Sequence, residues 1–170
     1  MRVQSRVIPI VVVLALLVVT STAMAKPKAS TPEERAKAVK LAHELELDPA
    51  TEESFEKRRW LIKWWEKVPD LTVTICDLLG PFPKDDHPYF SLVLAQSMFS
   101  GGAFMIEHPD QAQDQVAVQT AGIEGALKVY EVFGKVMPED RLPYLDDLLK
   151  KRDAGTLAAH MRDVVPKTCQ

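Results

Sequence analysis

The chain has 170 residues, 21 basic and 24 acidic side chains, a formal net charge of −3 and 46% hydrophobic residues. That length suits one domain with a real core. An acidic balance without a long basic run weighs against nucleic acid and anionic lipid as partners, because neither would be attracted electrostatically.

The first 25 residues read as a signal peptide. Arg2 and Arg6 form a short positive start, an apolar run follows (Val7 to Val19), and Ala23-Met24-Ala25 offers small residues at a cleavage site before Lys26. An uncleaved anchor is the competing reading, but the run is short and contains Pro9. No cysteine follows the run, so no acylation site is present there. The expected location is therefore periplasmic or secreted, with no stable membrane insertion after signal removal. The remaining 145 residues carry 19 basic against 24 acidic side chains, a net charge of −5.

Residues 26–30 read as a flexible N-terminus and residues 31–170 as one helical domain. Proline and capping residues punctuate it. "STPEE" offers Ser30 or Thr31 as N-cap, Pro32 in the first turn and Glu33 or Glu34 as reciprocal acid. Asp48-Pro49, Asp86 or His87 before Pro88, His108-Pro109, Pro138 and Thr156 mark further starts. The predicted helices are 32–46, 49–67, 70–79, 88–107, 109–136, 139–152 and 156–164. The third is the least regular: "LTVTIC" (Leu71 to Cys76) alternates like a strand, yet no second strand-like run exists to pair with it. The cluster from Gly80 to Asp86 reads as a turn or exposed loop.

From Tyr89 to Ile106 no residue is charged, and the apolar side chains point in every direction. Such a helix is buried all round; its serines, Gln96 and paired glycines make it too polar and too broken for a membrane span. In the next helix Glu124, Lys128, Glu131 and Lys135 share one narrow stripe, with apolar residues covering the rest. These two helices predict a central antiparallel hairpin. The fold class is all-α, an orthogonal or bundle-like single domain of six to seven helices.

Three tryptophans, the only ones in the chain, fall in "RRWLIKWWEK" at Trp60, Trp64 and Trp65. They lie on one apolar face that Ile62 and Phe55 extend, opposite Glu56, Arg59, Lys63 and Lys67. Packing against the central hairpin is the plain expectation. A partner surface is the sharper one, since tryptophan is enriched at binding hot spots. A membrane-surface foot fits less well, because acids interleave the basic residues. Trp64 and Trp65 are expected to be the more buried pair, deep indole N–H groups finding polar partners, and Trp60 the one reaching water or a partner.

Two cysteines, Cys76 and Cys169, read as one disulfide in an exported chain. It would close a loop of about 94 residues, stabilising by roughly 4 to 5 kcal/mol in the chain-entropy model. Gly101 and Gly102, and Gly122 and Gly125 in the next helix, either permit close helix packing or line a narrow apolar pocket.

Chemistry-bearing motifs are sparse. "HELE" from His43 lacks the second histidine of a zinc protease. His87 beside Asp85 and Asp86, and His108 between Glu107 and Asp110, could hold a metal, but Asp or His before proline is also an ordinary cap. No nucleophile elbow, phosphate loop or paired-cysteine zinc motif occurs, and there is no asparagine. No catalytic residue, metal or cofactor is nominated. The closing part, "AGIEGALKVYEV" with a terminal "VVPKTC", resembles small exported immunity proteins, disulfide-bearing helical periplasmic proteins that neutralise toxins injected by neighbouring bacteria. That resemblance implies binding rather than catalysis. The expected function is an exported, non-enzymatic helical protein that binds a protein partner or self-associates. A carrier of a small apolar ligand and an enzyme of unrecognised type are the competing classes.

Overall fold

A computed structural model describes residues 29–81 and 87–169 of the chain. Six α-helices form one domain: α1 (Pro32–Leu47), α2 (Glu52–Trp65), α3 (Phe90–Glu107), α4 (Gln115–Val136), α5 (Pro143–Asp153) and α6 (Leu157–Thr168). A 3-10 turn at Pro138–Asp140 joins α4 to α5, and the described residues include no strand. The all-α class expected from the sequence holds. The predicted signal peptide, residues 26–28 and residues 82–86 lie outside the described residues.

Side-chain caps set where helices begin. Thr31 Oγ1 accepts from Glu34 N–H at 3.2 Å while Glu34 accepts from Thr31 N–H at 2.9 Å, a reciprocal capping box. Ser30 is not loose. Its N–H and hydroxyl donate to Asp70 at 3.1 and 3.0 Å, and Arg35 bonds to both residues. Thr51, not Asp48, caps α2 by accepting from Ser54 N–H at 3.3 Å. The helix predicted from residue 109 begins at 115, because Asp114 accepts from Val116 and Ala117 N–H at 3.0 and 3.1 Å. A carboxylate that satisfies two orphan donors outcompetes the proline signal upstream, and residues 109–114 form turns instead. α5 likewise starts at Pro143 rather than 139, and α6 runs past residue 164 with Pro166 inside its last turn.

The predicted helix at 70–79 is absent. Residues 66–87, where described, run irregularly between α2 and α3. Leu71, Leu78 and Leu79 turn into the core while Ile75 stays exposed. Gln119 Nε2 holds the segment by donating to Thr74 O at 2.6 Å. The bonded pair Cys76–Cys169, with Cα atoms 5.2 Å apart, ties it to the end of α6. Threonine, valine and isoleucine favour extended backbone over helix, and side-chain anchors replace the missing ladder.

α3 and α4 pack against each other more extensively than any other pair of elements, forming the expected hairpin. Gly122 sets their approach: a Cβ there would lie 2.6 Å from the Ser97 carbonyl oxygen, inside contact distance. α1 covers one side of the hairpin, α5 and α6 pack on α4, and α2 packs on α1. By length and composition α3 alone among the described helices is apolar enough to cross a membrane, and half of it is buried inside the domain.

Two apolar clusters result. One gathers the start of α3, most of α4, α5 and α6 around Tyr89, Ile123, Leu127, Tyr130, Leu145 and Leu148. The other gathers α1, α2, the end of α3 and the start of α4 around Leu45, Leu61, Trp64, Phe99 and Val118. In the first, Tyr130 OH accepts from Leu142 N–H at 2.7 Å and donates to Asp146 at 2.9 Å, so the buried phenol holds the start of α5.

Candidate functional site

The three indoles form a ladder along α2. Trp60 stacks on Trp64 with ring centroids 5.8 Å apart, and Trp64 meets Trp65 edge-on at 5.2 Å. Trp64 is the buried member, 7% exposed, while Trp60 and Trp65 are both half-buried. The Lys37 ammonium from α1 sits 4.2 Å from the Trp60 ring centroid, a cation–π contact. Trp65 lies against Gly102 on α3, where a Cβ would fall 1.7 Å from the indole ring. The tryptophan cluster is thus core against α1 and α3.

Three expectations for this helix need correction. Trp65, expected to be enclosed with Trp64, is half-buried like Trp60, because it lies at the edge of the α1–α3 contact against Gly102. The Trp64 indole N–H is buried without a partner among the described residues, although deep indoles usually find one. The apolar arc is also not wholly covered: Phe55 is 55% and Ile62 42% exposed. The arc is wider than the strip α1 can cover, so its flank faces water.

Phe55 stands at the rim of an open groove of about 650 Å³ between the α1–α2 turn and the central hairpin. Pro49, Leu92 of α3 and Phe133 of α4 line it, with Glu52 and Arg58. One turn beyond Phe55, the half-buried Arg58 guanidinium donates to Ser54 O at 3.1 Å and to Pro49 O. Burial pulls the Arg58 pKa below its ordinary value. No carboxylate lies within ion-pair distance of it among the described residues. Periodicity alone pointed to the tryptophans and missed Arg58; the available signal was Phe55 and Arg58 one turn apart.

The four glycines do not converge on open space. Gly102 receives Trp65 and Gly122 receives the Ser97 carbonyl. Gly101 faces Val118 and Val73, and Gly125 faces the Ser100 hydroxyl and Glu46. Close packing accounts for each.

Sequence reasoning also missed a buried polar belt beside Gly125. Gln96 donates to Ala42 O and to Ser100 Oγ, both at 3.0 Å, and Ser100 donates to Glu46 Oε1 at 2.6 Å. Lys128 donates to the other Glu46 oxygen at 2.7 Å. His43 lies 3.4 Å from Glu46 and 3.2 Å from Glu107. Glu46 is only 6% exposed. Burial opposes its charge, but the bonds from Lys128 and Ser100 and the attraction of Lys128 and His43 hold its pKa below the ordinary value. His43 and Glu46 at helical spacing, opposite polar residues in an uncharged helix, were the visible signal. The belt is not a nucleophile–base pair: Ser100 donates to a carboxylate already engaged by lysine, not to a histidine.

The other weighed groups stay apart. His87 Nε2 lies 2.7 Å from the Asp140 carbonyl, while Asp85 and Asp86 lie outside the described residues. The His108 ring meets Phe104 at a tilt of 38°, with centroids 4.5 Å apart. No three His, Cys, Asp or Glu side chains cluster to hold a metal among the described residues. Comparison with protein-family models, curated proteins and solved structures finds no match to this chain.

Proposed function

We propose that the protein is an exported, non-enzymatic helical protein that binds a protein partner through the outer surface of α2. The observation that carries this reading is an open groove of mixed polar and apolar lining at exposed Phe55, with Ile62 exposed two turns further along α2. Openness favours a protruding segment over an enclosed small molecule. The leader-like start of the sequence and the Cys76–Cys169 bond support an oxidising compartment.

Site-specific photo-crosslinking tests the reading. A photoreactive amino acid at position 62, in protein exported with its own leader, should yield a discrete adduct that Phe55→Asp abolishes without unfolding the protein. A single adduct at twice the protein's own mass would replace a foreign partner by self-association. Absence of any adduct under native export would overturn the surface.

A further inference from the structure

Arg58 holds the α1–α2 turn and also lines the groove. A guanidinium carries five N–H donors in a planar fork suited to a carboxylate. Two of the five are committed to the main-chain oxygens of Ser54 and Pro49, which fix the fork against the α1–α2 turn. Arg35, Arg59, Arg141 and Arg152 each reach an aspartate or glutamate, whereas Arg58 and Arg162 reach none among the described residues; Arg162 is exposed and Arg58 is half-buried. A partly desolvated cation with unspent donors, beside the apolar wall of Phe55, Leu92 and Phe133, is complementary to an anion attached to an apolar group. Glu52, exposed on the same groove, discriminates further. Its carboxylate opposes a bare lipid tail and repels an anion seated beside it, which confines the anion to the Arg58 side, and it can accept the N–H groups of a peptide.

We infer that the groove takes the free C-terminal carboxylate of a partner protein whose last residue is apolar. The carboxylate pairs with Arg58, and the terminal side chain rests on Phe55, Leu92 and Phe133. This rests on the reading of α2 as the partner surface. It supplies the chemistry by which that partner is recognised.

Immobilised protein tests the inference against a pooled library of N-acetylated pentapeptides ending in Leu, Ile, Val, Phe or Met. Each sequence is present as free acid and as amide, and decanoate is included as a lipid acid. Free-acid peptides should be retained about tenfold or more over their amides, the equivalent of one charge-assisted contact. Phe55→Ala, at an exposed position, should reduce retention of the acids, and Arg58→Gln should erase the acid–amide difference. Equal retention of acid and amide overturns the inference. Decanoate outcompeting the peptides overturns it in favour of a lipid carrier. Dimerisation that Phe55→Ala reverses overturns it in favour of a second copy. Because Arg58 also holds the α1–α2 turn, the acid–amide contrast on the unaltered protein decides even if Arg58→Gln misfolds. If that contrast is absent while the position-62 adduct persists, the partner surface stands and only the carboxylate chemistry falls.

Discussion

Around the α4–α6 end of the hairpin, Leu127, Leu145, Leu148 and Met161 are fully enclosed and the phenols of Tyr89 and Tyr130 reach acceptors. Around the α1–α2 end, Phe55 and Ile62 face water, Trp64 buries an N–H without acceptor among the described residues, and an open groove extends to Leu92 and Phe133 of the first cluster. The contrast teaches a division of labour. The first half encloses its central leucines and is anchored by a covalent bond, although Ile75, Val136 and Tyr144 are exposed at its edge and His87 Nδ1 is buried without a partner among the described residues. The second leaves Phe55 and Ile62 exposed on one helix and part of the Arg58 guanidinium unspent. Apolar area left exposed forgoes about 25 cal/mol per Å² of burial, so a domain tolerates it where another region supplies the stability.

The largest test sets a buried position against an exposed one. Ile123→Asp should abolish folding, because it places an uncompensated carboxylate in the closed half. Phe55→Asp should leave circular dichroism and melting nearly unchanged. If both substitutions melted the protein alike, the two halves would be one core.

Next is the covalent anchor. Replacing Cys76 and Cys169 with serine should cost about 4 kcal/mol by chemical denaturation. Hydrogen exchange should quicken first in residues 71–79 and α6, with α1 and α2 following only at global unfolding. Uniform acceleration would show that the bond stabilises both halves equally.

Glu46→Ala strikes the belt where the halves meet. Loss of a buried partner costs about 3–5 kcal/mol when both ions are enclosed. Since the Lys128 side chain is 50% exposed, a cost of about 2 kcal/mol is expected. The folded-state pKa of Glu46 is lowered, so its contribution is present above the ordinary value of 4.5 and lost as pH falls through the folded value. Denaturation midpoints of the parent and Glu46→Ala should therefore converge on acidification below pH 4.5. A constant gap would assign the belt's stability to packing.

The smallest effect belongs to Glu124→Ala on the exposed stripe of α4, at less than about 0.5 kcal/mol. A larger loss would mean that this stripe is an interface.

The hairpin was legible because α3 lacks charge and α4 confines its charge to one stripe, patterns that only burial explains. Ile123 and Leu127 follow directly, as does the pairing of the two cysteines. Helix starts were less legible. Asp114 and Thr51 compete with nearby prolines, and only three-dimensional geometry shows which side chain reaches the orphan N–H groups. "LTVTIC" misled because its order comes from Gln119, the disulfide and leucine anchors remote in sequence. The polar belt and Arg58 were the least legible. His43–Glu46, Gln96–Ser100 and Arg58–Ser54 lie at helical spacing, but the bonds that join them to Glu107, Ala42, Lys128 and Pro49 cross between elements and leave no local pattern.

All three tryptophans lie on α2, and all three tyrosines, Tyr89, Tyr130 and Tyr144, lie on or near the closed half. The molecule therefore carries two separate optical reporters. Excitation at the red edge of indole absorbance reads the α1–α2 half alone, whereas the phenol band, which indole absorbance overlaps, reads the other half only as a difference signal. The stacked and edge-on indoles, 5.8 and 5.2 Å apart, lie close enough for their transitions to couple in the near ultraviolet. An event at the groove, where Phe133 stacks on Tyr89 with ring centroids 5.0 Å apart, should register in the tyrosine bands, whereas a shift of α2 on α1 should register in the indole signal.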